Sequence, residues 1–160
     1  MSKIYAAYGS NLNLKQMAHR CPSAERIEVA KLEGYELMFK GRGDHAYATV
    51  ERNPDSSTDV LLWEIDPQDE YSLDRYEGYP DFYTKETVKV KMPDGRELDS
   101  MMYVMNPGCK AGLPTHSYFM TVLEGYMDND MDTNALMRAL AKTSVQMQKQ
   151  EESMPMTMEM

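Results

Sequence analysis

KIYAAYGSNL, residues 3–12, is the stretch around which the rest of the chain is organised. Ile4, Tyr5, Ala6 and Ala7 make a short apolar run of strand formers that stops at Gly9, where a backbone can turn sharply. Past the turn, Asn11 or Asn13 can cap a helix that puts Leu14, Met17 and Ala18 on one face. Strand, tight turn and helix start follow one another directly. The N–H groups around Gly9, Ser10 and Asn11 then lack intrahelical acceptors and face whatever docks at the turn. Such a cradle suits a carboxylate or a developing oxyanion. A plain glycine turn between a strand and a helix has the same pattern, and at this point both readings stand.

Outward from this stretch, Arg26 to Phe39 carries Ile27, Val29, Leu32, Tyr35, Leu37 and Phe39 and is broken only at Glu33-Gly34, which predicts two strands around a bend. GRGDHA at 41–46 is glycine-rich and charged but has neither the length nor the lysine of a phosphate loop. Ala46 to Val50 reads as a short strand ended by the turn-rich run Asn53 to Ser57. Val60 to Ile65 is almost unbroken in its hydrophobicity, as expected of a central strand covered on both faces. Asp66-Pro67 opens a helix with an N-cap oxygen and a proline at the first helical position, and Asp69 and Glu70 suit the positive end of its dipole. Gly78 and Pro80 end that helix and leave Glu77 at its terminus among tyrosines. Phe82 to Met92 alternates, Pro93-Asp94-Gly95 turns, and Glu97 to Met105 returns as an antiparallel hairpin. NPGCKAGLP at 106–114 is a loop by composition; helices follow over Thr115–Tyr126 and Thr133–Lys149. The tail, 150–160, has no packing pattern and is expected to be mobile.

The 160 residues, 42% of them hydrophobic, suit one domain over 1–149. A net charge of −9 with no basic cluster argues against a nucleic-acid partner. The N-terminus has too short an apolar run for a signal peptide, and nowhere are eighteen apolar residues consecutive, so a soluble, cytoplasmic protein without membrane partners is expected. Cys21 and Cys109 read as free thiols. The sixteen methionines read as fillers of irregular gaps. His19 with Cys21 could begin a metal site, but His45 and His116 supply no second pair at a recognisable spacing, so neither metal nor cofactor is expected. Ser10 lies in GSN rather than in the nucleophile elbow G-x-S-x-G.

Two pieces converge on a family. YGSNL (Tyr8 to Leu12) after the first strand and LDRYEGYPDFY (Leu73 to Tyr83) after a short helix resemble the gamma-glutamylcyclotransferase-like superfamily, gamma-glutamylamine cyclotransferases included. ATV (Ala48 to Val50), VLLWEI (Val60 to Ile65) and LPTHSYF (Leu113 to Phe119) keep the same order, so the resemblance covers residues 3–126. It implies an α+β fold, a small mixed β-barrel flanked by helices with a pocket at one mouth. It also implies an enzyme that cyclises a gamma-glutamyl amide to 5-oxoproline and releases an amine or amino acid.

That reaction makes sense of the residue types. The substrate's own alpha-amine attacks the gamma-carbonyl to close a five-membered ring, so no protein nucleophile is needed. One carboxylate can serve both proton transfers. By position, Glu77 matches the catalytic glutamate, and Tyr8, Gly9, Ser10, Asn11 and Leu12 match the substrate cradle. Tyr83 and Tyr118 match pocket tyrosines and equally suit core packing. Glu77 could otherwise be an exposed helix-end glutamate, and the same barrel could capture a small ligand without turnover or serve as a regulatory protein. The resemblance leaves the leaving amine and the oligomeric state open. Loops 41–46 and 106–114 are the candidate walls of the leaving-group side.

Overall fold

The computed structural model describes residues 2–43 and 45–153. β1 (Lys3–Ala7) runs into a 3-10 turn (Ser10–Leu12) and then α1 (Leu14–Arg20). β2 (Glu25–Arg42) and β3 (His45–Ile65) form a long antiparallel hairpin, and α2 (Pro67–Glu77) leads to a second hairpin of β4 (Tyr83–Lys91) and β5 (Glu97–Met105). A two-residue strand, β6 (Lys110–Ala111), precedes α3 (His116–Asp128) and α4 (Thr133–Glu152). The strands follow the order β3-β1-β5-β4-β2, and β2 returns to β3, which closes a five-stranded barrel with β6 appended to β2. Among the described strands only β1 and β5 pair in parallel, so the sheet is mixed, as the resemblance implies. No described helix is long and apolar enough to cross a membrane.

Local chemistry accounts for the elements. Val60, Leu61 and Leu62 are fully buried between β1 on one side and β2 on the other. α2 starts with a capping box, in which Asp66 accepts from the Asp69 N–H at 2.8 Å and Asp69 accepts from the Asp66 N–H at 3.1 Å. It ends at Gly78, whose φ of +68° is the left-handed conformation glycine adopts without a Cβ penalty. Asn13, not Asn11, caps α1 by accepting from the Gln16 N–H at 3.1 Å. Met17 is buried, whereas Ala18 turns outward.

Four expectations need correction. Arg26 to Phe39 lies in one strand, since Gly34 at φ +83° absorbs the bend as a bulge and the ladder resumes beyond it. The Asn53–Ser57 run does not end a strand: Asn53 Oδ1 accepts from the Asp55 N–H at 3.0 Å, a local Asx turn inside the irregular middle of β3. The pairing moves from Tyr35↔Arg52 to Glu33↔Ser57 across it. Segment 106–114 contains β6, which pairs with Lys40 and Gly41. Helix α4 continues past Lys149, and Gln150, where the mobile tail is expected to begin, is helical and accepts from the Ala111 N–H at 3.1 Å. Residues 154–160 of that tail lie outside the described residues.

Helix α3 packs on the turn at 10–12 through Gly125. A Cβ there would stand 2.6 Å from Leu12 Cβ and 2.7 Å from the Asn13 nitrogen. The helix can approach that closely only without a side chain at this position. Gly125→Ala should therefore lower unfolding free energy by about 1–3 kcal/mol through overpacking, against the roughly 1 kcal/mol that alanine adds in helix propensity. Urea denaturation measures the balance, and a net gain would mean that α3 does not press on the turn.

Candidate active site

One mouth of the barrel opens on a cavity of about 290 Å³. Tyr8, Gly9, Ser10 and Asn11 line it from the turn after β1, Glu77 and Gly78 from the end of α2, Tyr83 from β4, and Tyr118 from α3. The turn is held in place from several sides. Asn11 Nδ2 donates to Tyr5 Oη at 2.9 Å, and Trp63 Nε1 donates to the Asn11 carbonyl at 3.1 Å. Asn129 Nδ2 donates to the Leu12 carbonyl at 2.8 Å. Because the 3-10 turn begins here, the N–H groups of Ser10 and Asn11 have no acceptor within it. A Cβ on Gly9 would meet Tyr118 Oη at 3.1 Å and Ala48 Cβ at 3.2 Å, so a side chain here would have to push those neighbours back by a few tenths of an ångström.

Glu77 reaches the cavity because α2 is fixed at both ends. Glu77 is half-buried and lines the cavity, and its carboxyl is largely enclosed by protein. Burial pushes that carboxyl up to about 7, and the positive charge of Arg20 opposes the shift. No hydrogen bond or ion pair to another described residue offsets the burial. The phenols around it stay neutral. Burial, with the Glu77 charge adding to it, holds the hydroxyls of Tyr5 and Tyr8 well above their ordinary range. Tyr83 and Tyr118 are raised as well, again chiefly by burial. Tyr83 Oη donates to the Ala48 carbonyl at 2.7 Å, and the Ala48 N–H donates to Tyr118 Oη at 3.1 Å. Tyr8 Oη donates to the Tyr103 carbonyl.

Not every predicted position reaches the cavity. Leu12 is fully buried in the core, because the 3-10 turn directs its side chain inward, and it does not line the cavity. None of the described residues of loops 41–46 and 106–114 lines the cavity, although the Arg42 guanidinium lies 5.3 Å over the Phe82 ring. They meet each other at a separate depression where β6 joins the β2–β3 hairpin. The outer wall is built instead by Tyr47, Phe82, Arg75 and Tyr76, with Tyr47 edge-on to both Phe82 and Tyr118. Tyr76 and Phe82 fall inside the LDRYEGYPDFY segment, so their nearness to Glu77 was a usable signal. Tyr47 depends on the register of a long hairpin and had none. Among the described residues no three His, Cys, Asp or Glu side chains converge as a metal site, and both cysteines are free.

The model of the gamma-glutamyl cyclotransferase, AIG2-like family matches residues 5–120. The chain belongs to that family. Human gamma-glutamylcyclotransferase is 28% identical over 138 residues, covering 81% of this chain and 73% of the human one. The mouse protein of the same name is 27% identical over 136 residues, covering 80% and 72%. A solved structure of a gamma-glutamyl cyclotransferase superposes with a TM-score of 0.80 at 26% identity, covering 88% of each chain. These likenesses make the chain an enzyme of the gamma-glutamylcyclotransferase type.

The Glu77 carboxyl has a thermodynamic signature that is independent of turnover. Between the ordinary glutamate value and about 7, the folded protein holds a proton that the unfolded chain releases. Stability therefore falls as pH rises through that window. Glu77→Gln removes this cost. Urea denaturation should find variant and wild type alike at pH 4, and the variant more stable at pH 8 by on the order of 3 kcal/mol. An equal difference at both pH values would mean that the carboxyl is not buried.

Proposed function

We propose that this enzyme converts a gamma-glutamyl amide into 5-oxoproline and a free amine or amino acid, with Glu77 carrying the proton. One observation carries the reading: an unpaired carboxylate, raised to about 7 by burial, faces a tyrosine-lined cavity beside the open N–H groups of the Ser10–Leu12 turn. A group poised near working pH can take a proton and return it within one turnover.

The reaction runs as an intramolecular acyl transfer. Ionised Glu77 takes a proton from the substrate's alpha-ammonium. The freed amine forms a bond to the gamma-carbonyl carbon, and the carbonyl oxygen gains negative charge. Backbone N–H donors at Ser10 and Asn11 are suited to that charge, because preorganised donors at a water-poor site stabilise a developing oxyanion. The protonated carboxyl gives its proton to the departing nitrogen, takes the remaining extra proton from the attacking nitrogen as the C–N bond breaks, and passes it to the released amine, which leaves as an ammonium while Glu77 returns to its ionised form. Walls of neutral phenols and Phe82 hold the glutamyl chain folded, which supplies the entropic part of the acceleration. The substrate brings its own nucleophile, so the protein has to supply only shape, donors and one titrating group.

Glu77→Gln keeps the size of the side chain and removes the base. Its kcat for 5-oxoproline release should fall by about 10²–10⁴-fold with little change in ligand affinity. Glu77→Asp should be poor as well, since one methylene less spoils a transfer distance of roughly 3 Å. Steady-state 5-oxoproline formation over a panel of gamma-glutamyl amino acids and amines measures both, with thermal unfolding alongside. A folded Glu77→Gln protein with near wild-type turnover would refute the assignment.

A further inference from the structure

Arg20 lies in the last turn of α1, outside both motifs, yet it touches residues of each. Its Nη1 donates to Ser10 Oγ at 3.1 Å and to Asn11 Oδ1. Its guanidinium carbon stands 3.4 Å from the centre of the Tyr76 ring, and Tyr76 Oη shares a hydrogen bond of 3.2 Å with Ser10 Oγ. The three side chains form a closed ring of contacts between the turn that begins at Ser10 and the residue before Glu77. No described carboxylate lies within ion-pair distance of Arg20. The groups that sense Glu77 from other elements are Tyr5, Tyr8, Tyr83, Tyr103 and Tyr118, all phenols held neutral; Arg75 of α2 also lines the cavity, and the guanidinium whose charge acts on the carboxyl is that of Arg20.

We infer that Arg20 is a positioning residue for the cyclisation: bonded to Ser10 and Asn11 and stacked on Tyr76, it fixes the cradle relative to Glu77 and sets its positive charge against that carboxyl. This rests on Glu77 being the proton carrier. Arginine suits the task where lysine does not. A planar guanidinium can lie flat on a phenol ring and still direct N–H groups sideways, whereas an ammonium is a point charge without that fork. The two duties are separable by substitution. Arg20→Lys keeps the charge and loses the planar stack, while Arg20→Gln loses the charge as well.

The test measures pH profiles of 5-oxoproline release for wild type, Arg20→Lys, Arg20→Gln and Tyr76→Leu. Loss of charge-assisted contacts predicts a kcat/KM lower by about 10-fold or more in all three variants. The midpoint of the acid limb should stay in place for Arg20→Lys and Tyr76→Leu and move to higher pH for Arg20→Gln, because burial of Glu77 is then unopposed. Wild-type rates in all three variants, or an unmoved midpoint in Arg20→Gln, would overturn the inference. A second readout needs no turnover: the stability gap opened by Glu77→Gln, followed against pH in wild-type and Arg20→Gln backgrounds. Its window should extend to higher pH without the arginine, and identical windows would overturn the inference. Should the wild type release no 5-oxoproline from any gamma-glutamyl amide, the proposed reaction fails, while the stability windows still decide whether Arg20 acts on Glu77. If Arg20→Gln does not fold, unchanged rates in both Arg20→Lys and Tyr76→Leu overturn the positioning role.

Discussion

A carboxylate taken out of water without a hydrogen-bonded counter-ion is the costly feature on which this structure turns. Glu77 is that group, and its burial rather than any specific partner raises it toward neutrality. A protein can sustain such a group only if the surrounding scaffold is firm enough not to relax around it. Here the firmness has identifiable sources. A capping box and a left-handed glycine fix the two ends of α2, and the facing turn is held by a hydrogen bond it donates to Tyr5 and by those it accepts from Trp63 and Asn129.

The barrel contributes geometry more than chemistry. Its closure depends on two narrow seams, since β1 and β5 share a single bridge at Tyr5↔Met101 and β2 and β4 a single bridge at Lys31↔Lys91. The β1–β3 and β4–β5 ladders and the long β2–β3 hairpin make the rest, the hairpin bent at Gly34 so that one curved ribbon covers much of the wall. Strand ends and helix ends thereby gather at one mouth, where β1, β3, β4, β5, α2 and α3 each contribute a residue to the cavity. Tyrosine dominates the lining because it offers a broad apolar face and one hydroxyl for which a partner is found.

Legibility in the sequence followed the range of the interactions. Asp66-Pro67, Gly78 and the alternating Phe82–Met105 hairpin are local statements, and the structure honours them. The buried run Val60–Ile65 was equally plain, because its composition admits few other environments. Asn53–Ser57 misled because turn residues can satisfy each other inside a bulge without ending the pairing on either side. Within the candidate site, the turn at 8–11 and Glu77 were reachable through their motifs, whereas Leu12 shares a motif but points to the core. Tyr47 and Arg20 were out of reach. Their places depend on hairpin register and on the docking of α1 against α2, which no short pattern encodes.

Ala48 adds a constraint of a different kind. Near the start of β3 the only described strand neighbour is β2, and the two peptide groups that face the other way are taken by the hydroxyls of Tyr118 and Tyr83. Those phenols thus supply, from the lining of the cavity, the partners that no strand offers to a buried peptide. Replacing either tyrosine by phenylalanine leaves the ring in place but deprives a buried peptide group of its partner, so the phenols that line the cavity also satisfy the backbone of the barrel wall.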